Sequence, residues 1–132
     1  MSDSVRLEGG CHCGAVRIAI EWEGPRVALG CNCSICRRTG YLHAIVPRSR
    51  FELIQGEEHL VDYRFGTGAA RHRFCRICGI KCFYEPRSHP GQRSVHVGCL
   101  DEGPKNWEIQ PFDGENWEDA FALLDAPPDR VS

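Results

Sequence analysis

Three cysteine clusters punctuate the chain: Cys11-His12-Cys13-Gly14, Cys31-Asn32-Cys33-Ser34-Ile35-Cys36 and Cys75-Arg76-Ile77-Cys78-Gly79. A C-x-x-C turn lets two thiolates reach one tetrahedral ion, and a C-x-C pair does so from a tighter turn. The glycine that follows the first and third clusters supplies the positive-φ step such knuckles use. Together the clusters hold seven thiols. Four close a structural metal site, and three leave a fourth position open to water or a substrate thiolate. Spacing admits two partitions. In one, Cys11, Cys13, Cys75 and Cys78 pair into a four-thiolate site joining distant parts of the chain, and Cys31, Cys33 and Cys36 form the open site. In the other, Cys33, Cys36, Cys75 and Cys78 close the site, leaving Cys11, Cys13 and Cys31 loose. A redox C-x-x-C would call for a thioredoxin-like βαβ setting, which the flanking sequence lacks.

Other reactive side chains sit near these clusters. Arg37 and Arg38 directly follow the second one, and their forked guanidiniums match the carboxylates of a small anionic ligand. The competing reading is ordinary surface charge. His43, His72 and His96 are candidate proton donors because an imidazole titrates near neutrality. His72, three residues before Cys75, has the alternative of hydrogen-bonding a cysteine sulfur. His12 stands between two cysteines that make it unnecessary as a ligand. Thr39 and Tyr41 are expected to border any pocket there. Cys82, in the run Lys81-Cys82-Phe83-Tyr84, reads as a small core residue, and Cys99 reads as buried at the end of a strand.

Short strands must position these groups. Val16, Ile18, Ile20 and Trp22 alternate with Arg17 and Glu21, the pattern of a half-buried strand ending at Gly24-Pro25. Val27-Ala28-Leu29 leads into the second cluster, and Leu42 to Val46 is extended up to Pro47. Phe51 and Leu53, then Val61, Tyr63 and Phe65, then Val95, Val97 and Cys99 repeat the period of two. Turn residues between such segments predict a mainly β, mostly antiparallel fold. One helix is predicted near the C-terminus: Asn116 caps it, and Trp117, Ala120, Phe121 and Leu124 share a face before Pro127-Pro128.

The 132 residues fit a single domain, 1–132, and 14 glycines with 8 prolines favour turns over long helices. Nine cysteines, an odd number in tight clusters, argue against a secreted disulfide framework and for metal held as thiolates in a reducing compartment. No apolar stretch is long enough to span a bilayer, and Met1-Ser2-Asp3-Ser4 lacks a signal-peptide layout, so a cytoplasmic protein is expected. A pI near 6.3 is far from the footprint of a nucleic-acid binder. Charge is nonetheless polarised: residues 1–100 carry 14 Arg/Lys against 9 Asp/Glu, and residues 101–132 carry 2 against 9. The basic side is almost all arginine, with Lys81 and Lys105 as the two lysines.

The motifs Gly9-Gly10-Cys11-His12-Cys13-Gly14-Ala15-Val16, Cys31 to Cys36 and His72-Arg73-Phe74-Cys75-Arg76-Ile77-Cys78-Gly79 resemble those of the glutathione-dependent formaldehyde-activating enzyme family. Pro86 to Gly91, Cys99-Leu100-Asp101-Glu102-Gly103 and Asn116-Trp117-Glu118 are similar to the pattern of its animal relative, centromere protein V. The resemblance spans roughly residues 8 to 120 and implies a β-tent of twisted antiparallel sheets. It further implies two zinc ions per chain, a structural one on Cys11, Cys13, Cys75 and Cys78 and a reactive one on Cys31, Cys33 and Cys36. The reaction it implies joins the glutathione thiol to formaldehyde as S-hydroxymethylglutathione, classed in reverse as a carbon–sulfur lyase. Arg37 and Arg38 would meet glutathione's carboxylates. The alternatives are a non-enzymatic zinc module for a macromolecular partner, which the acidic C-terminal segment disfavours, and a methionine sulfoxide reductase of the B type. The latter would need Cys99 as its reactive thiol, and Val97-Gly98-Cys99-Leu100 does not resemble that active site.

Overall fold

Most of the segments with two-residue periodicity form strands, and Phe65, at the end of one of them, lies outside the described residues. The computed structural model describes residues 4–64, 71–86 and 91–112. Its strands are β1 (Val5–Gly10), β2 (Arg17–Trp22), β3 (Val27–Cys31), β4 (Leu42–Pro47), β5 (Phe51–Gln55), β6 (Leu60–Tyr63), β7 (Arg71–Cys75), β8 (Phe83–Glu85), β9 (Gln92–His96) and β10 (Glu108–Phe112). One sheet has the order β1-β2-β5, and the other β10-β3-β4-β9-β8-β7-β6. The fold is mainly β, as the sequence predicts.

Apolar residues on the facing sides of the two sheets make one core. Ile18 and Ile20 of β2 join Ala44 and Val46 of β4, Phe83 of β8 and Val95 of β9, all essentially inaccessible. Trp22 and Trp107 close one end edge to face, with ring centroids 4.8 Å apart. Ala19, on the other face of β2, is buried as well. Its cross-strand neighbours are Glu8 and Glu52, both held by Arg6, and that ion-pair network covers the small side chain.

Three departures from the sequence reading bear on the site. All described pairings are antiparallel except β3 with β10, which runs parallel. The connection of residues 97–107 is long enough to return the chain to the far edge in that sense. Strand β9 stops at His96, and Val97–Cys99 turns into a single 3-10 turn rather than continuing the strand. His96 Nδ1 accepts the Gly98 N–H at 3.3 Å, and Leu100 N–H closes on the Val97 carbonyl at 3.1 Å, which caps the turn. The third departure is a helix, α1 (Ser34–Thr39), inside the second cysteine cluster. The helix predicted from Asn116 to Leu124 lies outside the described residues.

Register fixes what the seven-stranded sheet offers on its other face. His72 pairs with Tyr84, Tyr84 with Ser94, Ser94 with Ile45, and His43 with both His96 and Leu29. Paired residues share a face. A polar and aromatic row therefore crosses β7, β8, β9 and β4, opposite the face that gives Phe83, Val95 and Ala44 to the core. Cys31, two residues beyond Leu29 on β3, belongs to the same face.

Candidate metal centres and cleft

The first and third clusters meet. Cys11, Cys13, Cys75 and Cys78 place their sulfurs within 4.8 Å of one another. Each pair sits on a glycine-closed knuckle. Gly14 N–H returns to the Cys11 carbonyl at 3.1 Å and Gly79 N–H to the Cys75 carbonyl at 2.8 Å. Gly14 and Gly79 adopt φ of 84° and 79°, where a Cβ would strain the backbone. The Val16 and Ile77 amides donate to the Cys11 and Cys75 sulfurs at 3.3 and 3.4 Å, which favours thiolates. The Cys11–Cys13 and Cys13–Cys75 sulfur separations are 3.6 and 3.7 Å. Four sulfurs at about 2.3 Å from a tetrahedral zinc stand about 3.8 Å apart, so this donor set fits zinc. The competing partition through Cys33 and Cys36 is not the one the fold assembles.

Cys31, Cys33 and Cys36 form the second group, again within 4.8 Å. Cys33 caps α1 with its sulfur, accepting the Cys36 amide at 3.5 Å, a role usually taken by Ser or Asp. The Cys33 amide in turn donates to the Cys31 sulfur at 3.5 Å. Hydrogen bonds from Cys31 and Cys36 hold the Cys33 thiol far below its ordinary range, while the same neighbours and burial push Cys36 up. Three soft donors on one side of a point suit zinc with one position left open.

His43 braces this group from the polar row. Its Nε2 lies 3.1 Å from Cys36 Sγ, and its Nδ1 lies 3.0 Å from Ser94 Oγ and 3.2 Å from Tyr84 Oη. Tyr41 Oη donates to the Ser94 carbonyl at 2.8 Å. The network assigns Nε2–H to the sulfur and leaves Nδ1, with its one lone pair, as an acceptor that faces the Tyr84 and Ser94 hydroxyls. Burial, helped by the nearby Lys81 charge, pulls His43 down to about 3, so the imidazole is neutral. It is a hydrogen-bonded brace rather than a proton donor.

Between the two cysteine groups lies a cleft of about 460 Å3. Gly10, His12, Gly79 and Ile80 line it beside the four-thiol group; Thr39 and Tyr41 line it beside the three-thiol group; Lys81, His96, Gly98 and Cys99 complete it. Thr39 and Tyr41 are where the sequence expects them. Cys99 is only partly buried and faces this cleft, whereas Cys82 is fully buried as predicted. His72 meets Lys81, with Nδ1 2.9 Å from Nζ, and stacks on Tyr84 at 4.7 Å.

Arg37 and Arg38 are exposed on α1 and do not line the cleft. Arg38 donates to the Ser34 carbonyl at 2.8 Å, bracing its own helix. The residue that sequence reasoning missed is Lys81, buried with 8% of its surface accessible. Its ammonium stands 4.6 Å from the Tyr41 ring centroid and 4.5 Å from that of Tyr84. The available signal was a lone lysine in an otherwise apolar run within a chain whose other cations are nearly all arginine.

A Halomonas elongata protein named "Putative glutathione-dependent formaldehyde-activating enzyme" is 33% identical over 90 residues, covering 61% of this chain and 57% of that protein. The chain thus spans little more than half the length of that relative. A crystal structure of a Rhodobacter sphaeroides protein superimposes with a TM-score of 0.70 at 38% identity, covering 78% of this chain and 99% of that one. The family described as "Glutathione-dependent formaldehyde-activating enzyme" matches residues 6–118, a span that takes in both cysteine groups and the cleft between them. On that match the chain belongs to the glutathione-dependent formaldehyde-activating enzyme family.

Proposed function

We propose that this protein is a zinc enzyme that joins the glutathione thiol to formaldehyde, or releases both from S-hydroxymethylglutathione, and so acts in reverse as a carbon–sulfur lyase. The observation that carries this reading is the three-thiol group beside a cleft lined by Lys81, His96 and Cys99 in a chain of this family. Cys11, Cys13, Cys75 and Cys78 would hold a structural zinc tying β1 to β7, and Cys31, Cys33 and Cys36 a second one. When bound there, that ion would supply the positive charge that keeps a fourth sulfur as thiolate at neutral pH.

The chain's own residues do the rest. The His43 N–H toward Cys36 fixes that sulfur's orientation, and α1 holds Cys33 and Cys36 at one turn's spacing. The cleft orients thiol and aldehyde against each other, which lowers the entropy cost of their encounter. Arg37, exposed on α1 outside the cleft lining, is proposed to meet a glutathione carboxylate that extends beyond the cleft, with Arg38 beside it. Among the described residues no helix is long and apolar enough to cross a membrane. Reduced thiols and a glutathione substrate suit the cytoplasm, which is the proposed location.

The test is exchange NMR with 13C-labelled formaldehyde and glutathione. Protein should raise the rate of adduct formation and cleavage above the spontaneous rate. No acceleration at any protein concentration would overturn the reading.

A further inference from the structure

The polar row on β4, β7, β8 and β9 contains more machinery than metal binding needs, and the least ordinary residue packed against it is Lys81, just before β8. A lysine with 8% of its surface accessible is uncommon unless paired with a carboxylate. None of the described acidic side chains pairs with it. Its Nζ instead rests on two tyrosine rings and donates to His72 Nδ1, and what surface remains opens into the cleft. An ammonium has three N–H donors, and one of them goes to His72.

Among the other cleft-lining groups, His12 is an exposed side chain between Cys11 and Cys13 of the four-thiol group, and His96, Thr39, Tyr41 and Cys99 are committed or unsuited to giving a proton. His96 Nδ1 accepts from the Leu42 and Gly98 amides at 3.1 and 3.3 Å, which places the proton of the neutral ring on Nε2. A neutral imidazole N–H can hydrogen-bond an oxygen but is a very weak acid. Thr39 donates to the Ile35 carbonyl at 2.9 Å, and Tyr41 to the Ser94 carbonyl. Cys99 Sγ points to the Lys81 carbonyl at 3.9 Å.

We propose that Lys81 is the general acid of the thiol–aldehyde reaction, with His96 Nε2–H as a second donor to the same oxygen. The assignment rests on the function proposed above and names the group that handles its proton. As the substrate sulfur's electron pair forms the S–C bond, the carbon–oxygen π pair moves onto oxygen. A proton passes from Lys81 Nζ to that oxygen, giving the hydroxymethyl group and a neutral amine that regains its proton from water. Cleavage retraces the path: the neutral amine takes the hydroxyl proton, the C=O bond reforms and the sulfur leaves as thiolate.

Burial lowers the Lys81 pKa to about 8, against the opposing pull of the Cys36, Cys33 and Cys31 thiolates. The groups facing it are His72 on β7, Tyr84 on β8, His96 on β9, Tyr41 and His43 at the start of β4, the three thiols at the end of β3 and on α1, and Cys99. A group titrating there is matched to an acid–base task near neutrality.

The experiment measures initial rates of adduct formation and of adduct cleavage, each above background, for wild type, Lys81→Met and Lys81→Arg, together with zinc content and glutathione binding. In wild type the formation rate falls as pH rises through about 8, while the cleavage rate climbs over the same range. Both variants keep zinc and glutathione binding but lose about 100-fold or more of the acceleration, Lys81→Arg because its charge cannot be released. Equal rates in wild type and Lys81→Met overturn the assignment. If the variants do not fold, the wild-type profiles decide, and flat profiles from pH 6.5 to 9.5 overturn it. A wild type that binds glutathione without accelerating either direction overturns the proposed function itself, and the acid role with it.

Discussion

His43 Nε2 stands 3.1 Å from Cys36 Sγ and reaches it from the far side of a buried hydrogen-bond network that ends on Tyr84, Ser94 and Tyr41. The contact couples a strand of the large sheet to the helix that carries Cys36 and is capped by Cys33. A donor aimed at a ligand sulfur stabilises its thiolate, and removing such a partner typically weakens metal binding by 10–100-fold.

His43→Phe keeps the ring volume and removes that donor. It should weaken zinc at the three-cysteine group by roughly 10–100-fold, measured by competition with a chromophoric chelator. The four-cysteine group should hold its metal unchanged, since His43 does not touch it.

The four-cysteine group joins β1 to β7 through two short knuckles, with Cys11 and Cys75 built into the main core. Cys75→Ser should therefore abolish folding rather than merely weaken it, because structural zinc contributes about 10–16 kcal/mol of apparent binding energy in small domains. Loss of near-UV circular dichroism, matched by strong chelator treatment of the wild type, is the expected readout.

Gly79 has φ of 79° and open space where a Cβ would stand. Gly79→Ala isolates the backbone cost of the left-handed conformation. Denaturant unfolding should give a loss of about 1 kcal/mol.

His72 is neutral in the folded protein because burial and Lys81 lower its pKa to about 4, against about 6.5 when unfolded. The unfolded chain therefore binds the extra proton between those values, and stability falls as pH drops through that window. The contribution is fully present above pH 6.5 and shrinks by at most about 1.4 kcal/mol per pH unit toward pH 4. His72→Gln should flatten that part of the stability–pH curve, measured as the difference between the two proteins.

Arg37 is exposed, and a single screened ion pair is worth little. Arg37→Ala should raise the glutathione Kd by a few-fold and leave zinc content unchanged, as read by calorimetry. No change in Kd would return Arg37 to ordinary surface charge.

Much of this architecture is legible in the sequence because its signals are local. The alternation around Ile18 and Ile20 gave β2, Pro47 ended β4, and the glycines after Cys13 and Cys78 marked two knuckles. The partition of the seven thiols is not local: it depends on the ends of β1 and β7, in different sheets, meeting at the four sulfurs, and the family resemblance is what points to it in the sequence. Helix α1 carries no ordinary start signal because a cysteine caps it, and the alternation through Cys99 overstates β9 because His96 turns the chain through its own ring. Burial of Lys81 has no local signal because it depends on Tyr41, Tyr84 and His72, which are brought together by strand register rather than by sequence spacing.

The central claim is that Cys31, Cys33 and Cys36 hold a second metal that takes the substrate thiol. Elemental analysis of wild type and Cys33→Ser, with glutathione calorimetry on both, tests it most directly. The account predicts two zincs falling to one, with the fold intact and the glutathione heat lost. One zinc in both proteins, with no glutathione heat in either, would contradict it.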